Sequence, residues 1–558
     1  MKTAELLVKI LEANGTSIIF GLPGYNILDI YDFIRESRSI EHVLVRYENA
    51  AAVMADVYGR LTGKPGICLV TAGPGATNSV TGVAGAYAES SPMVHISGQC
   101  STTDRIQPFH GVDDWYFLEK IFKPITKWSV TIEDPSKIPE TINRAFQLAT
   151  SGRKGPVHIS LPTDVLRAEL NGEIEIKPYE EKKKSVDDVS VKMVYDIVSS
   201  SEKPVIIVGR GVLRNLCWNE VIELSQTIYA PIFHAREGRS AIPFTSPLNV
   251  GYFIGAAFGR GTHPLVSELF QESDLILTLG LSLGSRSSRF FKETSTNRDV
   301  IHIYQEDYEN RVLIKEKVIE VNTLNLSSFI KKLNDRLKGK IKSDWRNLEE
   351  RISKIKSTIE DELEKFAYDM SKVKPMHPAF ICNCIRKAVD KDAIITSDIG
   401  SHNSWMEVYF RPYSSNTFIM PGRYGSMGFS LPAGIAAKKI NPDRQVISAI
   451  GDGGLLMILG ELSTLSDLKL NLCVIVFNDA KYGMIWKLQQ RYHEGRFIAV
   501  DTVPPSFSEC AEAFGIRGFK VEEPRELQST LENALSLKEP VLVEVITNFR
   551  YDFYKYRL

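Results

Sequence analysis

Gln445-Val-Ile-Ser-Ala-Ile-Gly451-Asp452-Gly453-Gly454, followed by the helically spaced Leu455-Leu-Met-Ile-Leu-Gly-Glu-Leu-Ser-Thr-Leu465, reads as a strand, a glycine turn and a helix. Such a turn lets backbone N–H groups and a helix N-terminus approach a phosphate, while Asp452 at the strand tip can bind a hard cation. A second apolar strand, Leu472-Cys-Val-Ile-Val-Phe477, ends in Asn478-Asp479-Ala480-Lys481-Tyr482-Gly483, which sets Asp479 27 residues after Asp452. One helix and one strand fill that interval. In a right-handed βαβ unit both strand ends emerge on the same sheet edge, so the two Asp can converge on one metal. Gly-Asp-Gly alone is an ordinary surface turn whose acid caps a helix. The second Asp at this interval turns the reading to a diphosphate cradle with magnesium on Asp452, Asp479, the backbone carbonyl of Lys481 and water.

Outward from this motif, short β-branched runs alternate with longer helical stretches, the pattern of parallel sheets covered on both faces. Strands are expected at Ser17–Phe20, Gly66–Thr71, Met93–Ser97, Val157–Leu161, from Pro204, from Leu275, and at Ala393–Thr396, Gln445–Ile450, Leu472–Phe477 and Val541–Val545. The fold class is therefore α/β, with three doubly wound parallel-sheet domains at 1–170, 190–335 and 375–548. A charged segment, Asn171–Val189, reads as a solvated linker. Lys338–Lys374 reads as a connecting helix.

The chain has 558 residues, which favours three domains over one core. With 67 Lys and Arg against 68 Asp and Glu, no global field draws nucleic acid or an anionic membrane. No stretch approaches eighteen uncharged apolar residues, and charges interrupt the apolar N-terminal run, so neither a membrane span nor a signal peptide is expected. The seven Cys are scattered without a Cys-x-x-Cys pair, which argues for reduced thiols and a cytoplasmic setting.

Gly451-Asp-Gly-Gly with Phe477-Asn-Asp-Ala-Lys-Tyr-Gly-Met484 resembles the thiamine-diphosphate fingerprint of the acetohydroxyacid synthase, pyruvate oxidase and benzoylformate decarboxylase superfamily. That family usually has Asn where Asp479 stands, so an extra carboxylate lies beside the diphosphate here. The resemblance covers nearly the whole chain. It implies pyrimidine-binding, central and diphosphate-binding domains in that order, and a dimer or tetramer whose active sites lie at the subunit interface.

The resemblance also assigns site residues. Leu44-Val-Arg-Tyr-Glu48-Asn-Ala-Ala-Ala resembles the segment whose glutamate hydrogen-bonds the cofactor's aminopyrimidine. A carboxyl there favours the imino tautomer, the base that activates the thiazolium carbon. Val70-Thr-Ala-Gly73-Pro-Gly-Ala-Thr-Asn78 resembles the pyrimidine-side loop, and Asp398-Ile-Gly-Ser401-His402 a loop that meets the diphosphate, with Ser401 in place of the usual Gln. Gly425-Ser-Met427-Gly resembles the segment whose apolar side chain wedges the cofactor into its bent shape. Gly451, Gly453, Gly454, Tyr482, Gly483, Met484 and Ile485 complete the implied cofactor contacts, with Pro23 on the thiazolium side.

Departures cluster where substrate would sit. Phe20-Gly-Leu-Pro23-Gly24-Tyr25-Asn26 carries Tyr25 where acetohydroxyacid synthases usually have Gly. Beyond Gln99, the Phe-Gln-Glu stretch is replaced by Gln107-Pro-Phe109-His110-Gly-Val-Asp-Asp-Trp115, which offers His110 as a proton shuttle or as a surface histidine. Tyr25, Gln99 and His110 join Glu48 as catalytic candidates. Leu488 replaces the acceptor-selecting Trp. In the central block, Leu279–Arg286 lacks an FAD-contacting Arg and Tyr304 replaces an acidic residue, so the reading leans against FAD. Gly209-Arg-Gly211 is too short to support NAD. The leading expectation is carboligation or decarboxylation of a small 2-oxoacid such as pyruvate. Alternatives are a bulkier or aromatic 2-oxoacid, a C–C hydrolase acting on a cyclic diketone, and an inactive cofactor-binding homologue.

Overall fold

The computed structural model describes residues 1–172, 174–180, 186–253, 263–282, 298–305, 318–323, 325–340 and 343–550. Three six-stranded sheets follow one another along the chain. The first contains β1 (Ile18–Leu22), β2 (Glu41–Leu44), β3 (Gly66–Val70), β4 (Met93–Gln99), β5 (Trp128–Thr131) and β6 (Pro156–Pro162). The second contains β7 (Pro204–Val208), β8 (Ile232–His234), β9 (Asn249–Phe253), β10 (Leu275–Leu279), β11 (Asp299–Tyr304) and β12 (Val318–Asn322). The third contains β13 (Ile394–Ser397), β14 (Phe418–Ile419), β15 (Val446–Gly451), β16 (Cys473–Asn478), β17 (Arg517–Val521) and β18 (Val541–Ile546). Their pairings are parallel throughout, as in β15 on β16, where Ile447 faces Cys473. Helices cover both faces, which is why β3, β4, β6, β7, β10 and β16 are buried at every residue.

Strand order places the sites. The first sheet runs β2-β1-β3-β4-β6-β5 and the third β14-β13-β15-β16-β18-β17, so the winding reverses between β1 and β3 and between β13 and β15. A reversal leaves two successive turns diverging from the carboxyl edge, and the crevice between them is where open α/β sheets bind ligands. The second sheet, β12-β11-β10-β7-β8-β9, reverses between β7 and β10. There the two turns bond backbone to backbone: Gly211 N–H donates to the Gly280 carbonyl at 2.8 Å, and a Cβ on Gly211 would stand 2.6 Å from Gly280 Cα. Gly209-Arg-Gly211 is thus a tight βα turn.

Helix Glu48–Thr62 packs on helix Ser430–Ile440 through Ala50, Ala51, Ala52, Ala433, Ala436 and Ala437 in one apolar cluster. The Arg60 guanidinium, paired with Asp56, lies 5.2 Å from the Phe429 ring centroid. The connecting helix spans Leu348–Asp369, shorter at both ends than expected, and buries Ile352, Ile355, Ile359, Leu363 and Ala367 at helical spacing. The expected linker ends early: Asp187 accepts from the N–H groups of Val189 and Ser190 and starts a helix at Asp188. Residues 173 and 181–185 of that linker, and 283–286 of the stretch read against FAD, lie outside the described residues. No helix among the described residues is long and apolar enough to cross a membrane.

Candidate active site

At the carboxyl edge of the third sheet, the turns after β13, β15 and β16 bring Asp398, Ser401, His402, Asp452 and Asp479 together. Asp452 opens helix Asp452–Met457 and is 3% exposed. Its Oδ1 accepts from Gly453 N–H at 2.8 Å, while Oδ2 has no hydrogen-bond partner. The N–H groups of Asp479, Ala480 and Lys481 face this carboxylate. Burial raises Asp452 to about 6; burial and then the Asp452 charge raise Asp479 to about 7. Two carboxylates held this close out of water favour a cation between them.

The surrounding glycines report close approach. A Cβ on Gly483 would stand 2.9 Å from Asp479 Oδ2 and 3.5 Å from Ser401 Oγ, and one on Gly451 3.3 Å from His402 Nδ1. On Gly453 it would meet Tyr482 Cε1 at 2.8 Å and the Met427 methyl at 3.3 Å. Asn478 sets the turn by donating to Glu544 at 2.7 Å and accepting from Ala480 N–H at 3.1 Å. Met484 and Ile485 follow in the first turn of helix Gly483–Tyr492. Met427 is held by a residue that sequence reasoning quoted without a role: Asp398, fully buried, accepts from Gly428 N–H at 2.9 Å and Ile399 N–H at 2.8 Å. Burial raises its carboxyl to about 7. The signal was an Asp at the end of a buried strand.

At the edge of the first sheet, Glu48 begins helix Glu48–Thr62 and is 7% exposed. Asn78 Nδ2 donates to its Oε2 at 3.0 Å. Gly73 has φ +58°, and a Cβ there would overlap the His110 carbonyl oxygen. Gly24, after Pro23, packs against Thr71 across the crevice. Tyr25 is 57% exposed, its ring 5.8 Å from the Arg167 guanidinium. Gln99 is buried, with Nε2 donating to the Trp115 carbonyl at 2.9 Å and Oε1 accepting from Cys100 N–H at 2.8 Å, so its amide is spent on the 100–115 loop. His110 lies 3.3 Å from Asn26 Oδ1, and its ring stacks on the exposed Phe109 at 4.0 Å.

With a strand-end glutamate and an acid-lined glycine cradle in two sheet-edge crevices, the chain belongs to the thiamine pyrophosphate enzyme family. It matches the N-terminal TPP binding domain over residues 1–115, the central domain over 191–319 and the C-terminal TPP binding domain over 398–545. Within the family it is similar to proteins named acetolactate synthase. The probable acetolactate synthase large subunit of Methanococcus aeolicus is 33% identical, covering 98% of this chain and 92% of the relative. The acetolactate synthase large subunit of Lactococcus lactis subsp. lactis is 31% identical over 97% and 92%, and the acetolactate synthase of Bacillus subtilis 30% over 98% and 93%.

The residues present fit the cofactor. Ser401 Oγ, His402 Nε2 and Asp452 Oδ2 are buried polar atoms with no partner among the described residues, and they lie after two adjacent strands, β13 and β15, of one crevice. Buried polar atoms are rarely left so. A bound diphosphate would satisfy the donors, and a cation the acceptor. Among the described residues no group of three or more His, Cys, Asp and Glu gathers to hold a metal, and magnesium needs only one or two carboxylates when phosphates and water complete its shell.

Proposed function

We propose that this chain is a thiamine-diphosphate- and magnesium-dependent enzyme that decarboxylates a small 2-oxoacid such as pyruvate and joins the product to a second carbonyl compound. The carrying observation is the pair of crevices, one with Glu48 bonded to Asn78, the other with Asp452 Oδ2, Ser401 Oγ and His402 Nε2 unsatisfied. The relatives' names support the same activity. Bound thiamine diphosphate supplies a thiazolium carbon nucleophile and an electron sink for breaking and making C–C bonds.

Asp452, Asp479 and the Lys481 carbonyl would hold magnesium. Gly451, Gly453, Gly454, Ser401, His402, Tyr482, Gly483, Met484 and Ile485 would receive the diphosphate, and Pro23, Gly73, Asn78 and Met427 the rings. Glu48 holds and moves a proton at its carboxyl, and Asn78 orients that carboxyl. His110 and Tyr25 act at the substrate, with Gln99 shaping the loop that carries His110. Residues 1–170, 190–335 and 375–548 serve as pyrimidine-binding, central and diphosphate-binding domains. The reading leans against FAD without excluding it: Arg210 and Arg214, which follow the tight Gly209 turn, are bonded to Glu89. Seven cysteines without a disulfide accord with a cytoplasmic setting.

A dimer is part of this reading. Within one chain Arg60 packs on Phe429, two residues past Met427, and Glu48 begins the same helix twelve residues earlier. That is about 18 Å along the helix axis. Tyr47, Leu456, Met457, Tyr424 and Ile485, around the two crevices, are 38–54% exposed, an apolar surface that a second copy would cover. Light scattering is expected to give a dimer or tetramer.

The activity test is to incubate the purified chain with thiamine diphosphate, magnesium and pyruvate and to quantify acetolactate, with a visible spectrum for flavin. Acetolactate formation that chelation abolishes supports the reading. Benzaldehyde from benzoylformate with no acetolactate would replace it with the bulkier-substrate alternative, and turnover of neither would refute it.

A further inference from the structure

Asn26 sits in the turn after β1 and is 3% exposed, and both polar atoms of its side chain are engaged. Its Nδ2 donates to the Gln99 carbonyl at 3.3 Å. A carbonyl oxygen can only accept, so this bond fixes the amide with its NH2 toward Gln99 and Oδ1 on the opposite side. Oδ1 accepts from Thr71 Oγ1 at 3.4 Å and lies 3.3 Å from His110 Nδ1. An amide oxygen cannot donate, so the His110 contact is a hydrogen bond only when Nδ1 carries the proton. In a neutral imidazole the lone pair then belongs to Nε2.

The backbone holds the ring to this arrangement. His110 has φ +65°, and its carbonyl lies against the hydrogen of Gly73, where no side chain would fit. Cys100 Sγ donates to the Phe109 carbonyl at 3.0 Å, closing the loop from the other side. Carboxylates in the same neighbourhood are Glu48, reached through the contact of Thr71 with Gly75, and Asp113 and Asp114 on the loop itself.

We infer that Asn26 is a positioning residue: it holds His110 as the Nδ1–H tautomer between the turns that follow β1 and β3, leaving Nε2 as the basic nitrogen. The functional part of this inference rests on the reading of His110 as a group acting at the substrate. An Asn two residues after Gly24, on the crevice wall opposite Thr71, thus sets which nitrogen can exchange a proton.

The test uses the full-length chain labelled with 15N-histidine, without added cofactor, with ring nitrogen shifts recorded across pH. His110→Gln identifies the His110 resonances. In the wild type the neutral ring is expected as Nδ1–H. Asn26→Ala should move most of the population to Nε2–H, the form imidazole prefers without a partner, while Asn26→Asp should raise the His110 midpoint by about one pH unit, since a carboxylate favours the imidazolium. The pH profile of kcat with pyruvate should move with that midpoint. An unchanged tautomer in Asn26→Ala together with an unmoved midpoint in Asn26→Asp overturns the inference; if the alanine variant fails to fold, the near-isosteric aspartate decides alone. Wild-type turnover in His110→Gln beside a shifted tautomer in Asn26→Ala sinks the catalytic reading and leaves the positioning intact.

Discussion

Asp452 binds Gly453 N–H with one oxygen and holds the other bare in a buried crevice, so removing its charge should matter more to a cation than to the fold. Asp452→Asn keeps the volume. Calorimetric binding of thiamine diphosphate in the presence of magnesium is expected to weaken by more than about 100-fold, since even outer-shell partners of a metal cost 10- to 100-fold. Glu48→Gln removes a titrating proton and leaves an amide that still meets Asn78. Its kcat with pyruvate should fall by roughly 10²- to 10⁴-fold while cofactor affinity changes little; equal losses of binding and kcat would point instead to a purely structural Glu48. At this scale the sequence was informative where chemistry needs a residue type at a strand tip, as for Glu48, Asp452 and Asp479. It assigned Asp398 and Asn26 no role of their own, because their partners lie 30 and 84 residues away and appear only when the turns are brought together.

β4 and β6 pair in register with His95 opposite His158, both fully buried. Their Nδ1 atoms are 2.8 Å apart, and Ser79 and Ser160 close the ends of the chain. Burial lowers His95 to about 3, and burial with the nearby His95 holds His158 well below its ordinary range. The unfolded chain takes up protons near 6.5 and the folded one does not until about 3. The contribution of the pair is therefore complete above 6.5 and is lost as pH falls below it, by up to about 1.4 kcal/mol per pH unit and histidine. Denaturant midpoints at pH 7.5, 6 and 5 are expected to decline, and to decline less when both histidines are replaced by Gln; parallel declines would assign the effect elsewhere. Long buried strands such as β7, β10 and β16 were legible because an unbroken apolar run bounded by a turn admits little else. β2, β5, β8, β9, β12, β14 and β17 were not read, being short, half-exposed or at an edge, where pairing rather than composition makes the strand, and β11, buried between β12 and β10, was missed as well.

The three sheets are joined at Glu89, which no local pattern marked. Its carboxylate accepts from Arg210 at 2.6 Å, Arg214 at 3.3 Å and the Arg423 N–H at 2.9 Å, so one side chain from the first block holds the second and the third. Nearby, Arg60 donates to the Met420 carbonyl at 2.7 Å, and its own carbonyl accepts from Asn416 at 3.1 Å. The guanidiniums outweigh burial and lower Glu89 to about 2. Its stabilisation is thus present above the ordinary carboxylate range and lost as pH falls through 2. Glu89→Ala strands buried guanidiniums and should cost about 3–5 kcal/mol in chemical denaturation; a change below about 1 kcal/mol would show the junction to be dispensable. The tight contact of Gly211 with Gly280 has its own consequence. At this reversal the two lips meet backbone to backbone, and each lacks the single methyl group that would hold them apart. Bulk added at either lip would pry them apart from within, at the base of the arginines that clasp the neighbouring sheet.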